Sequence, residues 1–306
     1  MKVSLIATVK DASPFVEEFL ASVEGQTRAP DEVVIVDGGS TDGTIETLRE
    51  RPWVTLLDEP GANIARGRNL AIAKASHDVI AVSDADCVLA SDWLERIVEP
   101  LEAGADVSMG LYEPLATSFF EACAAAVGIK DRDEIRPETY MPSARSVAFF
   151  RQVFEEAGGY PEWLDIGEDM YLNRRWRAQG VRMKLAGGAV VYRRPRAGPR
   201  AYWRQFTAYA EGDARGGMYT ERHAARFVSY GGLAIALASR SRALKAAALA
   251  LAATRAARPV QRAWGRMPPG SSRIAAMLAV PALMGFTDLA KMAGYLRGLA
   301  RPRRKR

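Results

Sequence analysis

Two acidic side chains that directly follow an apolar run are the first sign of chemistry in this sequence. Asp84 and Asp86 lie two residues apart, just after the apolar run 79–82. Two close carboxylates repel each other unless a cation or a set of hydrogen-bond donors lies between them. Carboxylate oxygens suit Mg²⁺ or Mn²⁺, and such an ion can bridge to a diphosphate. We therefore predict that Asp84 and Asp86 bind Mg²⁺ or Mn²⁺.

A second polar turn follows the apolar run 32–36. Asp37 ends this run, and Gly38 opens the Gly-, Ser- and Thr-rich segment 38–44. Glycine permits close approach of a ligand to the backbone or a positive φ angle. A carboxylate at a strand end can accept hydrogen bonds from a base or a ribose. The alternative interpretation is a polar turn that caps the next helix, and the residues alone leave both open.

Two further candidate groups lie at the starts of predicted helices. Arg68 and Asn69 are near the start of helix 62–75, where the arginine charge and the free backbone amides of the helix can together bind an anion. The alternative for Arg68 is a side chain whose stem packs along the surface. Glu168 and Asp169 precede another helical pattern. They either balance the helix dipole or include a base that deprotonates a hydroxyl group within hydrogen-bond reach.

The elements that position these groups alternate between strand and helix. Short apolar runs at 3–9, 32–36, 54–57 and 78–82 alternate with helical patterns from residue 13, from a cap at 41–42 through residue 48, at 62–75 and at 91–103. This order predicts an α/β fold, with a mostly parallel sheet covered by helices on both faces. Ligands of such sheets bind at the carboxyl ends of the strands. Both acidic turns are therefore expected at one edge of the sheet.

Charge divides the chain into two parts. Residues 193–306 contain 23 Lys and Arg but four Asp and Glu, whereas residues 1–192 contain 19 and 32. We expect a catalytic-type domain at 1–195 and a basic helical region at 196–306. The basic region has no aromatic platform or recognition motif for nucleic acid, so we predict no nucleic-acid partner.

The basic region also suggests a membrane surface. Its apolar stretches are 227–239, 246–254 and 274–287, and the last has 14 uncharged residues, about 21 Å as a helix. This length is short of the roughly 30 Å hydrocarbon core, so we predict interfacial helices or a short re-entrant hairpin. Residues 301–306 are almost all basic and are expected to face anionic lipid at the cytoplasmic face of the membrane.

Five segments, taken in order, resemble the family 2 glycosyltransferases of the GT-A (Rossmann-like) fold. The resemblance covers about residues 1–195. The segments are VSLIATV at 3–9, DGGSTDGT at 37–44, GANIARGRNLAIAKA at 61–75, SDADC at 83–87 and AGGYPEWLDIGEDMYLNRRWRAQG at 157–180. Members often carry Pro-x-Tyr-Asn after the first strand, where this chain has Thr-Val-Lys-Asp at 8–11.

The resemblance implies roles for these residues. Asp169 is the expected general base, and Glu168 orients the site or the acceptor. The nucleotide-sugar donor is expected to contact a set of residues at the strand ends and on the third helix: Thr8, Asp37, Gly38, Arg68, Asn69, Asp84 and Asp86. The metal is expected on Asp86 and Asp84.

The implied reaction is inverting transfer of one sugar to a hydroxyl acceptor. Many members that act on lipid-linked acceptors have C-terminal apolar helices, and the resemblance therefore implies an acceptor that is lipid-linked or a saccharide precursor of a surface polysaccharide. Processive synthases of the family carry Gln-x-x-Arg-Trp well beyond the Glu-Asp pair, whereas Arg175 and Trp176 here lie in the same helix as that pair. Single-sugar transfer is therefore favoured.

Two alternatives belong to other classes of protein. A sugar-1-phosphate nucleotidyltransferase has a related fold but needs a Gly-rich basic loop after the first strand, and residues 10–14 contain no glycine. A non-catalytic membrane scaffold with the same fold would not bind nucleotides. The retained carboxylates favour the enzyme.

Overall fold

The computed structural model describes residues 1–301, and these form two compact units. The first unit contains Met1–Glu113 and Ile135–Arg193. The second contains Pro114–Glu134 and the described part of Arg194–Arg306. The boundary expected near residue 195 thus has a counterpart at Arg193, but the second unit also includes an earlier segment, 114–134.

The sheet of the first unit has eight strands, and six helices belong to the same unit. The strands are β1 (Val3–Val9), β2 (Glu32–Asp37), β3 (Val54–Asp58), β4 (Val79–Val82), β5 (Cys87–Leu89), β6 (Val107–Pro114), β7 (Val147–Phe150) and β8 (Met183–Arg193). The helices of this unit are α1 (Ser13–Glu24), α2 (Thr44–Arg49), α3 (Ile64–Lys74), α4 (Trp93–Glu102), α6 (Arg151–Glu156) and α7 (Glu168–Ala178), while α5 (Phe119–Gly128) belongs to the second unit.

The strands form one mixed sheet in the order β3-β2-β1-β4-β7-β6-β8-β5. The strands β1 to β4 are parallel, as the alternation of strand and helix predicts. However, β7 runs antiparallel to β4 and β6, and β5 runs antiparallel to β8. The predicted α/β fold is confirmed, but the description of the sheet as mostly parallel holds for β1 to β4 only.

Alternating side chains on the strands feed two apolar cores. On β1, Leu5 packs in the core that contains α1 and α4, and Ile6 packs in the core that contains α3 and α7. Successive strand residues point to opposite faces, so an apolar run without alternation is buried on both sides. The sheet therefore lies between helices, and its carboxyl edge is left for a ligand.

The second unit is helical, as predicted for the basic region. Besides α5, it contains a short 3₁₀ helix (Arg132–Glu134) and four long helices: α8 (Pro199–Arg215), α9 (Thr220–Ala238), α10 (Arg242–Arg266) and α11 (Arg273–Ala300). Gly294 and Gly298 let α11 touch the backbone of α8. A Cβ atom at Gly294 would lie 2.0 Å from the carbonyl oxygen of Thr207, so a larger residue would separate the two helices.

The third apolar stretch, residues 274–287, lies within a helix that is longer than these 14 uncharged residues. Helix α11 has 28 residues, and by length and composition it could cross a membrane. The helix continues through Asp288, whose buried carboxylate accepts hydrogen bonds from Arg226, Arg255 and Tyr230. These hydrogen bonds offset the cost of burying the charge of Asp288 within the helix. A third (33%) of the apolar window is buried inside the protein.

The basic C-terminal segment was expected to face anionic lipid. Only its first residue, Arg301, is among the described residues, where it pairs with Glu211. The remainder of this expectation concerns residues 302–306, which lie outside the described part of the chain.

Candidate active site

The first carboxylate of the acidic turn is held by two arginines. Asp84 lies just after the end of β4, at the carboxyl edge of the parallel strands. Its Oδ1 atom accepts a hydrogen bond of 2.6 Å from Nη2 of Arg68. The Nε atom of Arg145 lies 3.4 Å from its Oδ2 atom. The charge of Asp84, whose side chain is 15% exposed, is therefore offset by cations of the protein itself.

The second carboxylate has a different arginine. Asp86 accepts hydrogen bonds from Nε and Nη2 of Arg193, with the Nη2 bond at 2.7 Å. The antiparallel pairing of β5 with β8 places Arg193 opposite Cys87, next to Asp86. The side chain of Asp86 is 32% exposed, twice as much as that of Asp84. Asp86 is therefore the carboxylate of the turn that an incoming ligand reaches more easily.

Arg68 joins this turn to the start of α7. Its Nη1 atom donates a short hydrogen bond to Oε1 of Glu168, 100 residues further along the chain. The arginine is fully buried between the two carboxylates. Burial lowers the pKa of Arg68, but Asp84 and Glu168 outweigh it and raise this pKa above its ordinary value. Arg68 is therefore a permanent buried cation.

Glu168 differs from an ordinary glutamate in its affinity for a proton. Burial and the neighbouring charge of Asp169 raise its pKa from the ordinary 4.5 to about 7, and the cation of Arg68 opposes this rise only in part. Gly167, with a φ angle of 86°, precedes α7 and turns the chain so that Glu168 enters the interior.

Asp169 lies beside Glu168 but is more exposed. One of its oxygens accepts a hydrogen bond of 2.7 Å from its neighbour, the backbone amide of Met170. The other accepts a 3.3 Å hydrogen bond from the amide of Ala144. Asn173, one turn further along α7, donates to the carbonyl oxygen of Pro142 and anchors the same loop. The half-buried carboxylate of Asp169 is thus fixed in direction by two backbone amides.

Asp37 is occupied by its own turn. Its Oδ1 atom accepts hydrogen bonds from the amides of Gly39 and Ser40 at 2.8 and 2.7 Å, and the hydroxyl of Ser40 donates to Oδ2. The side chain is completely buried. These contacts match the interpretation of a polar turn, and a direct contact between Asp37 and a nucleotide stays a prediction.

The other predicted donor-binding residues surround the same edge. Thr8 packs its methyl group against α3, where a Cβ atom at Gly67 would lie 2.9 Å away. The amide of Gly38 donates to the carbonyl oxygen of Val9. Asn69 accepts a hydrogen bond from the amide of Tyr160 and donates one to its carbonyl oxygen, so it ties α3 to the loop before α7.

Arg145 and Arg193 are residues of this site that the sequence analysis missed. Arg145 lies just before β7 and Arg193 ends β8, both on the antiparallel side of the sheet, and neither has a motif of its own. The register of β5 with β8 would have indicated Arg193 as a neighbour of Asp86, but a register cannot be read from local periodicity.

The acidic residues of the site form a cluster at the carboxyl edge of the sheet, which is the edge where sheets of this kind bind their ligands. Arg68 connects Asp84 to Glu168, and Asp169 follows Glu168 in the chain. Asp86 extends the cluster toward solvent. Such a site suits the transfer of a group whose leaving partner is a metal-bound diphosphate.

Sequence comparison identifies the family. The sequence model of "Glycosyl transferase family 2" matches residues 4–114. The chain is 28% identical over 221 residues to the O-antigen chain rhamnosyltransferase RfbN of Salmonella typhimurium, covering 67% of this chain and 70% of that protein. It is 30% identical over 198 residues to the succinoglycan biosynthesis protein ExoA of Rhizobium meliloti, covering 60% of each. These matches support a family 2 glycosyltransferase.

Solved structures of low sequence identity share the fold. The mannosyltransferase PcManGT of Pyrobaculum calidifontis, in complex with GDP-Man and Mn²⁺, superimposes with a TM-score of 0.57 at 23% identity. That match covers 98% of this chain and 86% of the other. GalNAc-T7 with UDP, GalNAc and Mn²⁺ gives a TM-score of 0.53 at 16% identity, over 70% of this chain and 47% of the other. The predicted family and GT-A fold are confirmed, and the roles of individual residues stay predictions.

The raised pKa of Glu168 predicts a pH-dependent stability. A folded-state pKa above the ordinary value means that the neutral form is favoured by folding. This contribution is complete below about pH 4.5 and is lost as the pH rises to about 7, so the free energy of unfolding falls by up to about 3 kcal/mol over this window. In Glu168→Gln this fall should disappear. Urea unfolding between pH 4.5 and 7.5 measures it.

The matched control is Glu156→Gln, which removes an exposed carboxylate at the end of α6. Its unfolding free energy should follow that of the unmodified protein at every pH. Parallel curves for the unmodified protein and Glu168→Gln would contradict the assignment of the raised pKa to Glu168.

Proposed function

We propose that this glycosyltransferase moves a single hexose, with inversion, from a nucleoside-diphosphate sugar to a hydroxyl group of a polysaccharide precursor. The observation that carries the proposal is the link through Arg68. This one guanidinium contacts both Asp84 of the acidic turn and Glu168, the neighbour of Asp169. A base for the acceptor and a binding turn for the leaving diphosphate are thus held in one rigid cluster.

In this proposal Asp169 is the general base. Its carboxylate takes the proton of the acceptor hydroxyl, and the hydroxyl oxygen forms a bond to the anomeric carbon. The bond from that carbon to the diphosphate oxygen breaks on the opposite face, and the electron pair leaves with the nucleoside diphosphate. One displacement inverts the anomeric configuration. Glu168, either protonated or paired with Arg68, keeps the neighbouring Asp169 and the acceptor in position.

The residues of the acidic turn fit a divalent cation. Asp84 and Asp86 supply hard carboxylate oxygens from neighbouring positions, which is the donor chemistry that Mg²⁺ and Mn²⁺ prefer. The two similar solved structures contain Mn²⁺. We propose that Asp86 and Asp84 hold the ion, which when bound offsets the charge of the leaving diphosphate.

The remaining predicted residues support the donor site in different ways. Thr8 is half-buried and Gly38 is buried at the strand ends, and both are proposed to face the nucleotide. Asp37, Arg68 and Asn69 already have partners within the protein, so their proposed contribution is to shape the turn, the acidic cluster and the loop before α7.

We further propose that the acceptor is linked to a lipid and that the protein works at the cytoplasmic face of the membrane. Large apolar side chains of the second unit are at least half exposed: Val228, Ile235, Leu237, Leu244, Leu249, Leu251, Ile274, Met277, Leu278, Leu289, Leu296 and Leu299. An open groove of about 280 Å³ on this unit is lined entirely by apolar side chains and Cys123. Arg240, Arg242 and Lys245 lie between apolar segments, where they would meet anionic headgroups.

Donor binding and stereochemistry test the enzymatic proposal. Calorimetric titration of nucleoside-diphosphate hexoses with Mn²⁺ should find a donor that binds with a micromolar dissociation constant. Without an acceptor, slow hydrolysis of that donor should release the sugar first as the anomer opposite to the donor, as followed by NMR. Retention would contradict the base role of Asp169. Release of pyrophosphate from a nucleoside triphosphate and a sugar 1-phosphate would instead indicate a nucleotidyltransferase. A protein that binds no nucleotide would be a scaffold.

Vesicle flotation tests the membrane proposal. The full chain should float with vesicles that contain anionic phospholipid and remain unbound to vesicles of neutral phosphatidylcholine at high salt, because the basic side chains contribute part of the attraction. The membrane proposal would be contradicted by a full-length protein that stays monomeric without detergent and binds neither kind of vesicle.

A further inference from the structure

Arg193 occupies the carboxylate that the proposed metal needs. Its Nε atom lies 3.2 Å from Oδ1 and 3.0 Å from Oδ2 of Asp86, and its Nη2 atom lies 2.7 Å from Oδ2. The Arg193 side chain is only 11% exposed. Both oxygens of Asp86 therefore face a cation of the protein, in the forked geometry that gives the strongest arginine–carboxylate pairs.

A metal ion and Arg193 compete for the same oxygens. If a divalent cation binds Asp86, it weakens or displaces the bonds from the guanidinium, and a mostly buried guanidinium that loses a carboxylate partner is destabilised. The metal alone is thus expected to bind weakly. The nucleoside diphosphate changes this balance, since a diphosphate offers arginine the same two-pronged acceptor as a carboxylate.

Asp84 differs from Asp86 in this respect. Its hydrogen bond to Arg68 is internal and buried, and Arg145 approaches it less closely, at 3.4 Å. Arg68 is also held by Glu168, so it is not free to follow a ligand. The exchange of partners is therefore confined to the pair of Asp86 and Arg193.

We propose that Arg193 is a diphosphate-binding residue that exchanges partners. It pairs with Asp86 in the absence of ligands and with the diphosphate of the donor once a divalent cation binds Asp86. This inference rests on the proposed metal site. It makes a specific claim beyond that site: the metal and the nucleotide bind synergistically, and Arg193 is the cause.

Metal titrations with two variants test the exchange. Mn²⁺ binding is measured by electron paramagnetic resonance, alone and with saturating nucleoside diphosphate of the base found in the donor titrations. In the unmodified protein the nucleotide should tighten Mn²⁺ binding by about 10- to 100-fold, within the usual range of coupling between two ligands. Arg193→Gln should bind Mn²⁺ alone about tenfold more tightly, and the tightening by nucleotide should fall to threefold or less.

Arg182→Gln is the matched control. Arg182 makes an equally well-formed two-pronged pair with Asp106, at 3.0 and 2.6 Å, but away from the acidic turn. Its variant should retain the affinities of the unmodified protein. If Arg193→Gln fails to fold, Arg193→Lys, which keeps the charge but loses the fork, should show intermediate coupling.

The outcomes separate this inference from the proposed function. Nucleotide-dependent Mn²⁺ binding that is the same in Arg193→Gln and in the unmodified protein overturns the exchange and leaves the metal site intact. Nucleotide binding without any Mn²⁺ binding in the unmodified protein overturns the metal site, and the exchange with it.

Discussion

Asp169→Asn should lower the rate of sugar transfer by about 10²- to 10⁴-fold and leave donor affinity within about twofold, because general-base catalysis contributes rate factors of this size. The amide retains the shape of the carboxylate, but its nitrogen cannot accept a hydrogen bond, so we expect it to keep the 2.7 Å bond from Met170 and to lose the 3.3 Å bond from Ala144. It cannot accept the proton of the acceptor hydroxyl. The expected result is therefore a loss in kcat with an intact donor complex.

Steady-state kinetics and calorimetric donor titration measure the two quantities separately. Glu156→Gln is again a suitable control, since it removes an exposed carboxylate outside the cluster and should keep full activity. Equal loss of donor binding and turnover in Asp169→Asn would show that Asp169 supports the fold of the site, and activity near that of the unmodified enzyme would assign the base elsewhere.

Arg68→Met should destabilise the first unit by about 3–5 kcal/mol. Methionine has a similar shape, but the substitution leaves Asp84 and Glu168 without their shared cation in a mostly buried position. Removing one partner of a buried ion pair is costly because the other charge stays desolvated. Glu168 is then expected to remain protonated at neutral pH, which limits the loss to the lower part of this range.

The measurement is urea unfolding at pH 7. Arg182→Met provides the comparison, because Arg182 is 69% exposed and its pair with Asp106 should contribute at most about 1 kcal/mol. Adding Asp84→Asn to Arg68→Met should restore part of the lost stability, since the remaining unpaired charge next to position 68 disappears. A loss as small as that of Arg182→Met would contradict the central position of Arg68 in the cluster.

The local part of the fold was accessible from the sequence. The apolar runs that became β1 to β4 and the helices between them follow from periodicity, because a strand buried on both faces reads as a continuous apolar run. The positions of Asp37, Asp84 and Asp86 at strand ends follow directly from the same pattern.

The second unit shows where local patterns are insufficient. Fourteen uncharged residues are too few to predict a spanning helix, yet α11 extends over 28 residues, and the charge of Asp288 within it is paired with arginines of α9 and α10. The assignment of segment 114–134 to this unit depends in the same way on partners far along the chain, such as Arg266 for Asp131.

Local sequence patterns place four carboxylates at the ends of strands and helices: Asp84, Asp86, Glu168 and Asp169. The cations that these carboxylates meet follow from the packing of the whole chain. Arg68 reaches Glu168 across 100 residues, and Arg193 reaches Asp86 across 107. Such pairings depend on strand register and helix packing, which a local pattern does not specify. The physical reason is that a buried charge is tolerated only where a distant partner is brought to it.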